Sequence, residues 1–194
     1  VIEQFVAQPW RLPRLLGVLL ALLGYFLGLA DRGTLKATVA RAAFGGLTRD
    51  AIQQRSARYL EKVIPARLYP QALAAIASHR ASGDRLILLS ASPDLYVPAL
   101  GRALGFDEVV CTRLRWDAER LDGHLQGANC RGAEKLRQLQ RLRAAHPGLP
   151  VTAYGNSPAD LAHLLTCEQA YYVNARGSLR TRLAGQGLHT VDWA

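Results

Sequence analysis

Methionine is missing from the sequence altogether: none occurs in 194 residues, and the first residue is Val1. A natural chain of this length usually carries a few, so a processed or truncated form, or one lacking residues of the natural protein, is expected. Cysteine is scarce. Cys111, Cys130 and Cys167 are odd in number and far apart, which excludes a disulfide framework and any recognisable metal-binding spacing. Three reduced thiols in packed positions fit this pattern, and with it a reducing cytoplasm. Runs of basic residues are also absent, although Lys and Arg (24) outnumber Asp and Glu (15) to give a net charge of +9. That balance favours anionic partners such as phosphate esters, nucleic acid or an anionic membrane face. Dispersed cations with little aromatic interleaving argue against nucleic acid.

The apolar stretch LLGVLLALLGYFLGLA, residues 15–30, falls short of the roughly 20 residues that span a bilayer. It lacks the small-residue cleavage pattern of a signal peptide and runs on into a helical pattern. Its three glycines weaken it as an autonomous helix. Two readings stand: a buried helix or helical hairpin of a small domain, or a peripheral membrane contact lying in the interface.

What is present is globular. Hydrophobic residues make up 49% and charged residues 20% of a chain long enough to bury a core, which suits one domain with a small appendage. Helical periodicity covers 34–60, with Thr48 as an N-cap. Pro65 and Pro70 place a hinge at 63–69, so residues 1–68 form one helical unit. From there the pattern alternates. It predicts helices over 71–81, 94–104, 132–145, 158–166 and 178–184. It predicts strands over 85–89, 108–114, 151–154, 170–173 and 188–191, and a hairpin over 115–127 around Asp117-Ala118-Glu119. Strands alternating with helices of this length predict an α/β fold with a parallel, Rossmann-like sheet covered on both faces.

In such sheets ligands bind beyond the carboxyl ends of the strands. Ser90-Ala91-Ser92 follows one strand, Gly155-Asn156-Ser157 and then Asp160 another, and Asn174 a third. A Ser90 hydroxyl with adjacent backbone N–H groups can hold a phosphate oxygen at a helix start; equally, Ser92 can cap the next helix. Lys135 lies in the first turn of its helix, where a cation opposes the dipole. A ligand phosphate or a carboxylate would compensate it; a solvated lysine would need neither. Asp160 in a first turn suits an ordinary cap. Asn156 and Asp160 are also oxygen donors of the kind Mg²⁺ takes.

The order of these pieces resembles the haloacid dehalogenase superfamily, in its phosphoserine-phosphatase-like branch with a helical cap. The likeness is carried by LILLSASPDLYVPALGRALGFDEVV, RLRWDAERLDGHLQG, NCRGAEKLRQL and AYGNSPADLAHLL, and covers about residues 65–175. It implies a HAD-like core at 69–194, with residues 1–68 as the cap that governs substrate choice. It also implies a Mg²⁺-dependent phosphatase acting on a phosphate monoester through an aspartyl-phosphate. Ser90 and the Ala91 N–H would bind the phosphoryl group, Lys135 would stabilise its charge, and Asn156 and Asp160 would serve the metal. Asn156 stands where the family usually has an aspartate.

The first motif of the family, Asp-x-Asp-Gly-Thr at the end of a central strand, does not occur in this sequence. The resemblance places it upstream of Val1, together with the nucleophile. The chain alone is therefore expected to be inactive and to leave two strands short of a neighbour. The branch includes phosphatases for small esters and one group acting on phosphatidylglycerol phosphate. The stretch 15–30 and the net charge tilt the expectation toward a lipid or the inner membrane face. A non-catalytic phosphate-binding relative and a membrane-associated interaction module are the alternatives.

Overall fold

The computed structural model describes residues 12–194, with side chains from Leu16 onward. The first eleven residues of the expected cap, Arg11 among them, lie outside the described residues. Among the described residues four helices come first: α1 (Leu12–Phe26), α2 (Arg32–Phe44), α3 (Arg49–Arg67) and α4 (Pro70–Ala81). Asp31 caps α2, its carboxylate accepting from the Thr34 N–H at 2.7 Å. Thr48 caps α3 through the Ala51 N–H, as the sequence predicts. The expected hinge is narrower than 63–69. Pro65 lies inside α3, and the chain breaks only at Leu68 and Tyr69, where Pro70 opens α4. Proline removes an intrahelical hydrogen bond to the carbonyl four residues back. That carbonyl belongs to Glu61, which is exposed, so water can replace the bond.

The strands follow. β1 (Ile87–Pro93) and β2 (Glu108–Thr112) pair in parallel around α5 (Val97–Ala103). β3 (Leu114–Asp117) and β4 (Arg120–Leu125) form the expected antiparallel hairpin. After α6 (Ala133–Ala145) come β5 (Thr152–Gly155), a 3₁₀ turn at Pro158–Asp160, α7 (Leu161–Leu164), β6 (Gln169–Val173), α8 (Ser178–Ala184) and β7 (His189–Val191). β5, β6 and β7 are parallel and adjacent in that order. The architecture is thus α/β with parallel sheet elements. Among the described residues the parallel strands make two separate sheets, and β1 and β5 each carry one edge with no partner.

Two cores match these two halves. Ala40, Phe44, Ile52 and Leu60 of the helices pack with Leu95, Leu114 and Leu121 of the strand region. Leu164, Ala170, Tyr172, Leu183 and Leu188 form the other around β6. The hairpin lies directly on α2. Gly123 of β4 has a φ of 88°, and a Cβ there would meet the Arg41 backbone at 2.6 Å, so only glycine admits the approach. Ser56, 2% exposed, has its one hydroxyl proton within reach of both the Ile52 and Leu95 carbonyls and ties α3 to the loop after β1.

α1 is unlike the other helices. Val18, Leu22 and Tyr25 face inward over a cavity, while Leu16, Leu19, Leu20, Leu23 and Phe26 are exposed, Phe26 by 80%. The expected burial of 15–30 therefore holds for one face only. No helix among the described residues is long and apolar enough to cross a membrane.

Candidate active site

The strand carrying Ser90 runs further than the sequence predicts. β1 extends to Pro93, with its register shifting between Ser90 and Pro93, and α5 begins at Val97 rather than Asp94. Ser90 therefore does not sit at a helix start, and Ser92 caps no helix; the N-cap is Tyr96, with no side-chain cap bond. The chain is held another way. Ser90 Oγ accepts from the Ser92 N–H at 3.1 Å, while the Ala91 carbonyl accepts from Thr112 Oγ1 at 2.8 Å and from Lys36 Nζ. Both ends of the Ala91–Ser92 peptide are thus fixed. The Ser90 oxygen is used as an acceptor, which leaves its hydroxyl proton to be donated to a ligand.

Thr112 is the hub of this end of the site, and sequence reasoning missed it. It is fully buried at the end of β2, and its hydroxyl oxygen also lies 3.2 Å from Asn129 Oδ1 and accepts from the Cys130 N–H at 3.1 Å. Asn129 and Cys130 lead into α6, so Thr112 couples the Ser90 strand to the helix that carries Lys135. A lone threonine at a strand end is too common to signal such a role. Lys36, also missed, reaches from α2 to the Ala91 carbonyl, Thr112 and Asn129. Burial, with the charge of Arg131 behind it, pushes its pKa down.

Lys135 and Asp160 meet. Their side chains, 12% and 7% exposed, pair at 2.7 Å. The carboxylate is the compensating anion for the lysine at the start of α6. Asp160 Oδ2 also accepts from the Asn156 and Ser157 N–H groups at 3.3 and 3.1 Å, and Ser157 completes a capping box. The cap and site readings of Asp160 therefore describe one carboxylate in two roles. Gly155 permits it, because a Cβ there would lie 2.8 Å from Asp160 Cβ. His163 stands beside the pair, 4% exposed, with an Nδ1 that has no hydrogen-bond partner among the described residues. Burial and then the Lys135 charge push its pKa down to about 4, against the opposing pull of Asp160.

No hydrogen bond or ion pair among the described residues joins Ser90 or Ala91 to Lys135, Asn156 or Asp160. Nor do the described residues complete a magnesium site. Asp160 is engaged at both oxygens, Asn156 is exposed and uncharged, and no group of three His, Cys, Asp or Glu residues gathers to hold a metal. Mg²⁺ takes one or two carboxylates as a rule, so these residues alone do not fit it. Asn174 is placed apart, in a left-handed turn with φ 59°, its side chain accepting from the Trp193 N–H at 2.7 Å. The cysteines are free thiols, and burial pushes Cys111 up to about 12, out of reach of thiolate chemistry at neutral pH.

The described residues thus form parallel sheet elements with Ser90 in the last part of one strand and a lysine–aspartate pair beyond the end of another, an α/β architecture with its polar residues at the carboxyl ends of its strands. The chain belongs to the haloacid dehalogenase-like hydrolase family, whose pattern matches residues 1–164. It is 36% identical over 149 residues to the protein CicA of Caulobacter vibrioides (strain NA1000 / CB15N), covering 76% of this chain and 66% of CicA. It is 29% identical over 138 residues to a protein of Mycobacterium tuberculosis (strain H37Rv) named a probable phosphatase, covering 70% of this chain and 47% of that protein. The chain thus spans just under two thirds of the first relative and about half of the second. A crystal structure of a probable phosphoserine phosphatase from Vibrio cholerae shares the fold, with a TM-score of 0.72 at 15% identity over 92% of this chain and 52% of that one.

Proposed function

We propose that the full-length protein is a Mg²⁺-dependent phosphatase that hydrolyses a phosphate monoester through an aspartyl-phosphate. Its nucleophilic aspartate would lie upstream of Val1, on a strand between β1 and β5. The substrate is a small phosphorylated metabolite or phosphatidylglycerol phosphate, and residues 1–68 act as the cap. The observation that carries this reading is the Lys135–Asp160 pair in a family of hydrolases, standing at the start of α6 and beyond the end of β5. Ser90, with its hydroxyl proton free, and the Ala91 N–H would hold the transferred phosphoryl group. Lys135 would offset its charge. The metal's carboxylates would come chiefly from the upstream segment, with Asn156 as a neutral oxygen donor and Asp160 holding Lys135 in place. A cytoplasmic enzyme at the inner face of the membrane fits the exposed apolar face of α1.

Phosphate release by full-length protein, abolished by EDTA and restored by Mg²⁺, tests the reading. Lys135→Ala should lower the rate by about 10²–10³-fold, as loss of one charge-stabilising donor does. Because that variant leaves Asp160 buried and unpaired, Ser90→Ala is measured beside it and should also slow release. Full rates in both variants would overturn the assignment. The already closed Lys135–Asp160 pair favours a second reading of chain 1–194 alone: a non-catalytic phosphate-binding or membrane-associated module, which would show no release under any condition.

A further inference from the structure

The end of β1 is irregular. Ser90 pairs with Cys111 and Pro93 with Thr112, so Ala91 and Ser92 bulge out of the ladder between them. The Ala91 carbonyl, released from strand pairing, accepts from two donors, Thr112 Oγ1 at 2.8 Å and Lys36 Nζ. Both of its lone pairs are thereby used. At the other end of the same peptide, the Ser92 N–H donates to Ser90 Oγ at 3.1 Å. Lys36 belongs to α2, and its half-buried ammonium meets a carbonyl, a hydroxyl and an amide oxygen, with no ion-pair partner among the described residues. Such a placement costs desolvation that a solvated lysine would avoid. A serine oxygen accepting from the N–H two residues on is by itself an ordinary turn. An ammonium on the carbonyl of that same peptide is not part of such a turn. It sets Lys36, the Ala91–Ser92 peptide and the Ser90 hydroxyl in one line of hydrogen bonds.

We propose that Lys36 is a positioning residue for phosphoryl transfer, which acts through the Ala91–Ser92 peptide to strengthen the hydrogen bond that the Ser90 hydroxyl offers the phosphoryl group. The ammonium draws electron density toward the Ala91 carbonyl oxygen, which makes the Ser92 N–H a stronger donor. The bond from that N–H draws density from Ser90 Oγ in turn, and the Ser90 O–H becomes the stronger donor outward. Each link of such a chain polarises the next. The gain is greatest where negative charge on the phosphoryl oxygens is greatest. Because Lys36 stands on α2, the donor strength of Ser90 depends on that helix being seated. The inference rests on the phosphatase reading for the nature of the ligand; the chain of hydrogen bonds stands without it.

The test is a double-mutant cycle in full-length protein with p-nitrophenyl phosphate as substrate. Lys36→Met should lower kcat/KM by roughly two- to ten-fold, with most of the loss in kcat, the scale on which one link of a hydrogen-bond chain strengthens the next. In a Ser90→Ala background the same substitution should change neither constant, because the chain then has no end. A lysine that acts on the ester directly, or that only supports the fold, gives losses that multiply, and that result overturns the proposal. A full rate for Lys36→Met, or a loss confined to KM, does the same. Lys36→Gln, shorter and uncharged, goes through the same cycle, with urea midpoints to report folding. Failure of both variants to fold would mark Lys36 as a support of the fold and overturn the proposal as well. Calorimetric binding of inorganic phosphate repeats the cycle without turnover. Lys36→Met should raise Kd by roughly two- to ten-fold, and leave it unchanged in the Ser90→Ala background. If no ester is cleaved, the phosphatase reading fails, and the phosphate cycle still decides this one. Absence of phosphate binding by the unsubstituted protein overturns it too.

Discussion

His163 concentrates the electrostatics of the site in one side chain. Folded, its pKa sits near 4; unfolded, near 6.5. The unfolded chain therefore takes up a proton first as the solution is acidified. Stability is fully present above pH 6.5 and falls between 6.5 and about 4, by up to about 1.4 kcal/mol per pH unit. Between pH 7 and 5 the loss should be about 2 kcal/mol, and His163→Gln should remove it. Urea unfolding of both proteins at the two pH values reads the difference; equal losses would show that His163 titrates normally. Glu168, held down to about 2 by Arg143, acts only below this window.

The residues that bear the site were unequally legible. Lys135 and Asp160 stand at helix starts, where a misplaced cation and a well-placed carboxylate are visible in sequence, and they pair in the structure. Ser90 was found by its place after a strand, but its setting was misjudged. A strand that shifts register before it ends leaves no mark in a run of small polar residues. Lys36 looked like any lysine on a helix, because its burial depends on Thr112 and Asn129, which are 76 and 93 residues away.

At the scale of elements, periodicity located every helix and strand after residue 70, with ends shifted by a few residues. What it could not supply is who packs on whom. The hairpin β3–β4 settles on α2 because Gly123 lets the two backbones touch. Gly123→Ala should cost about 1–3 kcal/mol, from overpacking and a side chain forced to positive φ. A chemical-denaturation midpoint lowered without a change in slope would register it. An unchanged midpoint would mean that the hairpin is free to move away from α2. The same substitution at the exposed Gly127, also at positive φ with nothing within 4 Å, serves as the control for backbone strain alone.

At the scale of the whole molecule, the unpaired edges of β1 and β5 dominate. Open strand edges recruit other strands. Chain 1–194 alone should associate with rising concentration, and the full-length protein, with its proposed intervening strand, should not. Sedimentation velocity across a concentration series distinguishes them; a strictly monomeric 1–194 would mean that something else covers those edges.

The two cores also differ in the stretch of chain they must gather. The one around β6 draws on residues 164–188, nearly consecutive. The other joins Ala40 and Leu60 to Leu114 and Leu121. During synthesis the apolar faces of α2 and α3 leave the ribosome about sixty residues before the hairpin that covers them, an interval of roughly 3–12 s at the usual rate of elongation. For that interval the nascent chain presents Phe44, Ile52 and Leu60 without their final neighbours. A cell making this protein must shelter its first half before its second half exists.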